Sequence, residues 1–218
     1  MAKTKSSFTG LDNFNYKILN EDGATVRTPT RIEGLQEITI SKDQEVVKAY
    51  GDNRTMETAV SNGDVELESG FHTLSLEDRA NLFGLQIDED GIVAVGNDTP
   101  NDVAVVLERT NAEGREVVGL LSGKFVFAEV EGSTTSDEVE FSSQSTTGTF
   151  IAQDIEGYEE PKAMLLGFDA KGTHTALYSI WKKVFGEAHP DAPTEPTTVS
   201  AQSVAFDVET ASVEEGST

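Results

Sequence analysis

Hydrophobic and polar residues alternate with a period of two along much of this chain, which is the pattern of half-buried β-strands. The alternation is clear in "NYKIL", "RIEGLQEITI" and "GDVELESG". In the last of these, Val65 and Leu67 point to one face, whereas Glu66 and Glu68 point to the other. Continuous apolar runs follow, separated by turn residues, and predict the buried strands of a sandwich or barrel. These runs are "GIVAVG", "DVAVVLERT" and "EVVGLLSGKFVFAEVE", with "MLLGFDA" as one further strand.

Two segments change to helical spacing. In "TLSLEDRANLFGL", Ser75 is placed as an N-cap with Asp78 three residues later, and Gly84 is placed as the C-cap. In "HTALYSIWKKVFG", five apolar residues fall on one helical face and Gly186 ends the helix. The five are Leu177, Ile180, Trp181, Val184 and Phe185.

The pattern as a whole predicts a mainly β protein, an antiparallel β-sandwich or barrel with one or two flanking α-helices. Residues 42–58, "KDQEVVKAYGDNRTMET", are polar around a Gly-Asp-Asn centre and predict a long projecting hairpin or loop. We assign residues 1–186 to one β domain and residues 187–218 to a Pro-punctuated, acidic C-terminal extension. The alternating stretch "SVAFDVET" in that extension leaves open that it adds a strand to another surface.

One stretch alternates like a strand but has a centre that is polar on both faces: "EVEFSSQSTTGTFIAQD", residues 138–154. Val139 and Phe141 point one way and Glu138 and Glu140 the other, and Gly148 predicts a bulge or a close approach. Two interpretations remain open from the residues alone. The strand is either an ordinary solvent-exposed edge strand, or it faces an enclosed and hydrated space.

Charge narrows the classes of function. The 218 residues contain 16 Lys and Arg against 39 Asp and Glu, a formal net charge of −23. Such a chain has no basic surface for holding nucleic acid or an anionic membrane tightly. It has no cysteine, no apolar signal segment after "MAKTKSSFTG", and no run approaching the roughly 18 apolar residues of a membrane span. We therefore expect a protein that is made and kept soluble in a cytoplasm.

No catalytic, metal or cofactor site is predicted. Asp88-Glu89-Asp90-Gly91 resembles part of a calcium loop but lacks the later acidic ligands, so it predicts a tight turn. His72, His174 and His189 do not have the spacing of metal ligands. No G-x-S-x-G motif or phosphate-binding motif is present, and the glutamate pairs are typical of a solvated strand face.

The order of these segments resembles the major tail proteins, the tail-tube subunits, of long non-contractile-tailed phages that infect Gram-positive hosts. The resemblance extends roughly from Gly10 to Phe185. It is carried by seven segments in order: "GLDNFNYKILNEDG", "TPTRIEGLQEITIS", "AYGDNRTMETA", "GDVELESGFHTLSLEDRANLFGL", "NDVAVVLER", "GLLSGKFVFAEVE" and "EFSSQSTTGTFIA". The extension after Gly186 lies outside the shared pattern.

The resemblance implies a structural virion protein that is made in the host cytoplasm and forms hexameric rings stacked into a tube for the passing DNA. It implies as partners other copies of the chain, a tape measure protein, a tail terminator and distal tail proteins, without tight DNA binding and without a membrane. The polar strand faces then line the lumen, with Glu66, Glu68, Glu138, Glu140, Ser142, Gln144 and Thr146 predicted there. We expect the projecting segment, which would leave apolar residues exposed on a lone subunit, to make the contact between rings. The residues predicted in this contact are Val46, Val47, Tyr50, Gly51, Asp52, Asn53 and Arg54.

A function of a different class fits the same pattern. Many short strands, an acidic surface and a Pro-rich tail are also typical of an immunoglobulin-like surface, adhesion or decoration module that binds a receptor or glycan. The two differ in assembly, because a tube subunit self-assembles and an adhesion module stays monomeric.

Overall fold

In a computed structural model that describes residues 6–19, 28–51, 54–127 and 144–193, the chain forms ten strands and two helices. The first four strands are β1 (Gly10–Leu19), β2 (Thr30–Ile32), β3 (Leu35–Gly51) and β4 (Arg54–Phe71). Helix α1 (Leu76–Phe83) separates them from β5 (Gln86–Ile87), β6 (Val93–Ala94), β7 (Asp102–Thr110) and β8 (Gly114–Phe125). The chain continues through β9 (Gln144–Ile151), β10 (Met164–Ala170) and α2 (Thr175–Phe185).

Eight of the strands form one antiparallel sheet, in the order β2-β1-β7-β8-β9-β4-β3, with β10 also paired to β8. The remaining two, β5 and β6, make a separate small hairpin. The predicted mainly β, antiparallel fold with two helices is therefore confirmed.

The large sheet folds as a sandwich around a first hydrophobic core. Side chains from β1, β2, β4, β7, β8 and β9 meet in this core, together with residues of α1. A second core lies on the other side of β7 and β8, under α2. Strand β7 is apolar along its centre because both of its faces are buried. Val105 and Leu107 lie in the first core, whereas Ala104 and Val106 lie in the second.

Local capping residues set both ends of α1 and the end of α2. The Ser75 hydroxyl accepts a hydrogen bond from the Asp78 N–H at 3.0 Å, and Gly84 ends α1 with φ +68°. A side chain at Gly84 would put its Cβ 2.1 Å from the Thr99 carbonyl oxygen, so that position also needs glycine for space. The predicted apolar face of α2 is buried as expected, and Gly186 ends the helix.

The start of α2 depends on a residue outside the helix. His174 makes no side-chain cap. Instead the carboxylate of Asp169, in β10, accepts from the N–H groups of Ala176 and Leu177 at 2.8 and 3.0 Å. Asp169 is only 2% exposed, and water therefore does little to stabilise its charge. The helix N-terminus and nearby Arg115 stabilise the charge instead.

The segment at residues 42–58 lies in an antiparallel hairpin, the first of the two predicted alternatives, and the pairing shifts register after Lys42 and after Ala49. Strands β3 and β4 pair from Leu35 and Phe71 out to Gly51 and Arg54. Strand β4 pairs with β9 only over Val65–Phe71, so the outer half of the hairpin is a two-stranded ribbon that extends from the sheet. We call this outer half, residues 44–51 and 54–62, the ribbon.

One predicted buried strand is wrong. In "GIVAVG" only Val93 and Ala94 form a strand, and Ile92 and Val95 are 61% and 62% exposed. The cause is the preceding turn, which was predicted and is confirmed. The Asp88 carboxylate accepts from the N–H groups of Asp90 and Ile92, and this turn joins β5 to β6 in a tight hairpin that stands apart from the main sheet.

Neither helix in the described ranges is long and apolar enough to cross a membrane.

Candidate functional site

A continuous polar surface covers the outer face of β3, β4 and β9. Strand pairing aligns it in three rows: Glu37, Gly70 and Ser145; Thr39, Glu68 and Thr147; Ser41, Glu66 and Thr149. We call the eight side chains of these rows the polar panel. They consist only of glutamate, serine and threonine, and all are exposed except the half-buried Thr147.

The panel exists because the opposite face of the same strands is fully used by the core. Val65, Leu67 and Phe150 alternate with panel residues and are at most 1% exposed. Because side chains of a strand point alternately to its two faces, burying these three forces their polar neighbours outward. The panel and α2 consequently lie on opposite sides of the sandwich, separated by the two cores.

Gly148 makes the tight core beneath the panel possible. A Cβ at this position would lie 2.8 Å from the Phe125 ring, which packs edge-on against Phe150 with 5.8 Å between ring centroids. The predicted close approach at Gly148 is confirmed, and it lets two aromatic rings fill the space below the threonines of β9.

The charge of the panel is negative, since Glu37, Glu66 and Glu68 are its only ionisable members. Lys124 in β8 aligns with Thr149 at the edge of the panel. Its ammonium group, however, is 3.1 Å from the Asp102 carboxylate and donates to the Pro100 carbonyl at 3.2 Å. Lys42 and Asp43 border the panel at its ribbon end.

Two of the predicted lumen residues lie together on the panel, and two do not. Glu66 and Glu68 are exposed on the face opposite Val65 and Leu67, as predicted. Placing Thr146 and Gln144 on the same face is wrong. Thr146 is 3% exposed and donates its hydroxyl to the Val126 carbonyl at 2.8 Å, and the Gln144 Oε1 accepts from the Leu74 N–H at 2.9 Å.

The remaining predicted residues, Glu138, Glu140 and Ser142, lie outside the described part of the chain. The panel residues Ser145, Thr147 and Thr149 were missed because the alternation was counted forward from Val139 and Phe141. Phe150 could have corrected this. The apolar residues Val139 and Phe141 have odd numbers, whereas Phe150 has an even number, so the core-facing positions of β9 are the even ones. Counting back from Phe150 places Gly148 and Thr146 toward the core.

The ribbon carries exposed valines on both of its faces. Val46 and Val60 are directly opposite each other across the two strands, at 54% and 55% exposure. Val47 points to the other face and is 52% exposed. Gly51 ends β3 opposite Arg54. The side chains of Tyr50 and Arg54, and the residues Asp52 and Asn53, lie outside the described part of the chain.

The described residues contain no group of three or more His, Cys, Asp or Glu side chains that could hold a metal ion. His174 and His189 approach the two sides of Tyr178, with ring centroids 5.7 and 5.3 Å away, in an aromatic contact.

No protein-family model matches the chain, and no curated protein is significantly similar to it in sequence. The panel and the ribbon therefore provide the basis for a function.

Proposed function

We propose that the chain is a structural virion protein, a tail-tube subunit that assembles into stacked hexameric rings around a channel for double-stranded DNA. The observation that supports it most is the polar panel, a surface three strands wide that contains glutamate, serine and threonine and no lysine or arginine. In this proposal the panels of neighbouring subunits line the channel, and the α2 side of each subunit faces outward.

The side chains of the panel fit the lining of a channel through which DNA moves without being bound. DNA carries one negative charge per ~1.7 Å of its axis, so a lysine or arginine in the wall would bind phosphate and retain the duplex. The carboxylates of Glu37, Glu66 and Glu68 repel phosphate instead. The hydroxyl groups between them hydrogen-bond water, which keeps a hydrated layer between the wall and the DNA. Lys124, at the edge of the panel, has a carboxylate partner in Asp102 at 3.1 Å.

The ribbon has exposed apolar side chains of the kind found in contacts between subunits. Isolated two-stranded hairpins are marginal in water, and exposed valines on both faces gain stability only when both faces are covered. A single flat surface would cover Val46 and Val60 or Val47, but not all three. We therefore propose that the ribbon inserts between surfaces of the next ring, where the two faces are buried together.

The partners in this proposal are copies of the same chain, with the tape measure protein, tail terminator and distal tail proteins at the ends of the tube. DNA is in passing contact only, no cofactor takes part, and the protein is not an enzyme. Its location is the virion tail.

Assembly is the property that tests the proposal. The full-length protein is purified and followed by light scattering over a range of concentrations, with and without an initiator complex from tails, and the particles are viewed by negative-stain microscopy. Rings and tubes are expected. A monomer under every condition, and in isolated virions, would overturn the proposal and favour the alternative, an immunoglobulin-like binding module.

A further inference from the structure

The chain folds back onto α2 directly after the helix ends. We call residues 187–191 the clasp. Glu187 pairs with the buried ammonium group of Lys17 at 3.2 Å, and the Tyr178 hydroxyl donates to the Asp191 carbonyl at 3.0 Å. The clasp belongs to no strand or helix, so side-chain contacts of this kind hold it in place. Segments held by few contacts open at a low cost in free energy.

His189 is the central contact of the clasp. Its side chain is 14% exposed and packs edge-on against the Trp181 ring, with 4.5 Å between ring centroids. It also contacts the Tyr178 ring, at 5.3 Å. Trp181 lies beneath it and is 5% exposed. The position of the clasp on α2 therefore depends on how well the His189 ring fits this site.

The hydrogen bonding of His189 requires a neutral imidazole. Its Nδ1 accepts from the Asp191 N–H at 3.1 Å. A backbone N–H can only donate, so Nδ1 carries the lone pair and the ring proton of the neutral side chain is on Nε2. A second proton has to be added at Nδ1, where it meets the Asp191 N–H and removes this hydrogen bond. Protonation of His189 thus acts directly on the turn that holds the clasp closed.

The surroundings of His189 also disfavour an imidazolium. Burial lowers the pKa of His189 below its ordinary value. The carboxylates of Asp191 and Glu108 oppose this change, whereas Arg115 and His174 add to it. The Asp191 carboxylate is 4.0 Å from Nδ1 but 86% exposed, so water screens its charge. Glu108 already accepts from Arg115 at 2.9 Å. The other ionisable groups on this surface are Tyr178, Arg31, Lys17 and Glu187.

We propose that the clasp is an acid-sensitive latch, closed on α2 while His189 is neutral and released when the ring is protonated. The closed form is complete above about pH 6.5, the ordinary histidine value, and is lost progressively below it. The chain beyond the clasp is the C-terminal extension, so release moves the point where the extension leaves the domain from residue 191 back to Gly186. The proposal does not rest on the tube function, because these contacts lie within one subunit.

Trp181 is the single tryptophan of the chain, so its fluorescence reports on the clasp directly. The full-length protein is titrated from about pH 8 to about pH 5, the range in which histidine changes charge. Quenching of Trp181 by acrylamide, which is uncharged, should increase at least about twofold across this range. Hydrogen exchange, corrected for the effect of pH on intrinsic rates, should become faster in the clasp, whereas β7 and β8 stay protected.

The chain contains three histidines, so substitutions assign the transition to one of them. His189→Phe keeps a ring against Trp181 but has no group that titrates in this range, and quenching should no longer depend on pH. His72→Gln and His174→Gln are the controls and should keep the acid transition. The melting temperature of each variant at neutral pH is measured to show that it is folded.

Several results would overturn the proposal. One is quenching and clasp exchange that do not change with pH, and another is an unchanged transition in His189→Phe. A transition that disappears in His174→Gln would assign it to the wrong histidine. Weaker quenching in acid would mean that the attraction of the two rings for an imidazolium dominates. Loss of protection in β7 and β8 together with the clasp would show unfolding of the domain and no separate latch.

Discussion

Tyr16 shows how a single side chain joins two elements of this fold. It is 1% exposed in β1, and its hydroxyl donates to the Asp78 carboxylate of α1 at 2.9 Å. The Asn81 amide, also in α1, donates to the same hydroxyl at 3.1 Å. Burial raises the pKa of Tyr16 well above its usual range. The charge of Asp78 adds to this rise, and the Asn81 hydrogen bond opposes it.

This raised pKa predicts a loss of stability at alkaline pH. Since the folded state keeps the proton longer than the unfolded state, the contribution is complete below about pH 10, the ordinary tyrosine value. It is lost as pH rises from there toward the higher folded pKa. We expect the free energy of unfolding, measured by urea titration, to fall above pH 10 less steeply in Tyr16→Phe than in the wild type.

The exposed Tyr158 provides the matched control, since Tyr158→Phe should keep the wild-type slope. Identical slopes in the wild type and in Tyr16→Phe would contradict the assignment to Tyr16.

Local sequence patterns do not show which residues have distant partners. The alternation around Lys17 gives no sign that its side chain is buried. Lys17 is 2% exposed because its ammonium group donates to the Phe185 carbonyl at 2.8 Å and pairs with Glu187 at 3.2 Å, far along the chain. Asp169 at the start of α2 is a similar case. Both satisfy helix-terminal groups through tertiary contacts, and a single sequence carries no spacing rule for such contacts.

Elements with local signals were predictable, and elements defined by pairing were less so. Helix α1 follows from its two caps and its apolar spacing, and α2 follows from its apolar face and Gly186. Strand β10 forms over the predicted "MLLGFDA". The sequence does not distinguish a hairpin from a loop at the ribbon, because its two strands are stabilised by each other and not by a buried face. In "GIVAVG" the apolar run is exposed because the small hairpin has no place in the main sheet.

The ribbon gives a prediction at the scale of an element. Replacing its facing pair, Val46→Ser with Val60→Ser, should leave the free energy of unfolding within about 0.5 kcal/mol of the wild type, because both side chains are more than half exposed. Polymerisation should be lost, because the apolar contact with the next ring is removed. Light scattering measures assembly, and urea unfolding measures stability.

The adjacent pair on the same face is the control. Gln44 donates to Asn62 at 2.7 Å, and Gln44→Ser with Asn62→Ser changes the ribbon without removing apolar surface. This control should assemble. Deleting 51–54 or introducing Tyr50→Asp should give a folded subunit that does not polymerise. Full-length tubes from the valine variant would show that the ribbon is not the contact between rings.

At the scale of the whole molecule, residues 187–191 pack against the β domain. Glu187 pairs with buried Lys17, His189 packs on Trp181, and Tyr178 donates to the Asp191 carbonyl at 3.0 Å. Residues 187–191 therefore form part of the surface around α2. The sequence change at Glu187 marks a difference in composition, and composition alone does not show where packing stops.

Two truncations separate these parts of the chain. Ending the chain after Pro193 should change the free energy of unfolding by less than about 0.5 kcal/mol. Ending it after Gly186 should cost about 1–2 kcal/mol, because Lys17 loses a charged partner. Trp181 fluorescence should also shift to the red as His189 is removed. Equal stability of the two truncated proteins would contradict the packing role. Short or unstable tails after truncation at Pro193 would identify the extension as a strap between subunits.

The charge of the panel gives a prediction for virions. Glu66→Lys with Glu68→Lys should allow assembly, since both side chains are exposed, but should slow genome ejection. Each lysine adds a phosphate contact, and these contacts repeat around and along the tube. The defect should weaken as salt rises, because phosphate contacts are salt-dependent.

Glu89→Lys with Glu159→Lys makes the same change in net charge at exposed sites away from the panel, and it should eject normally. Unchanged ejection at low salt in tubes that carry the panel lysines would mean that Glu66 and Glu68 do not line the DNA path.

A cryo-electron microscopy reconstruction of the assembled full-length protein tests the central proposal most directly. It should show six subunits per ring, with the Ser, Thr and Glu side chains of β3, β4 and β9 facing the axis and α2 facing outward. The ribbon should lie between consecutive rings, with Val46 and Val47 both covered. A tube in which the polar panel faces outward or lies within a subunit interface would contradict the proposal.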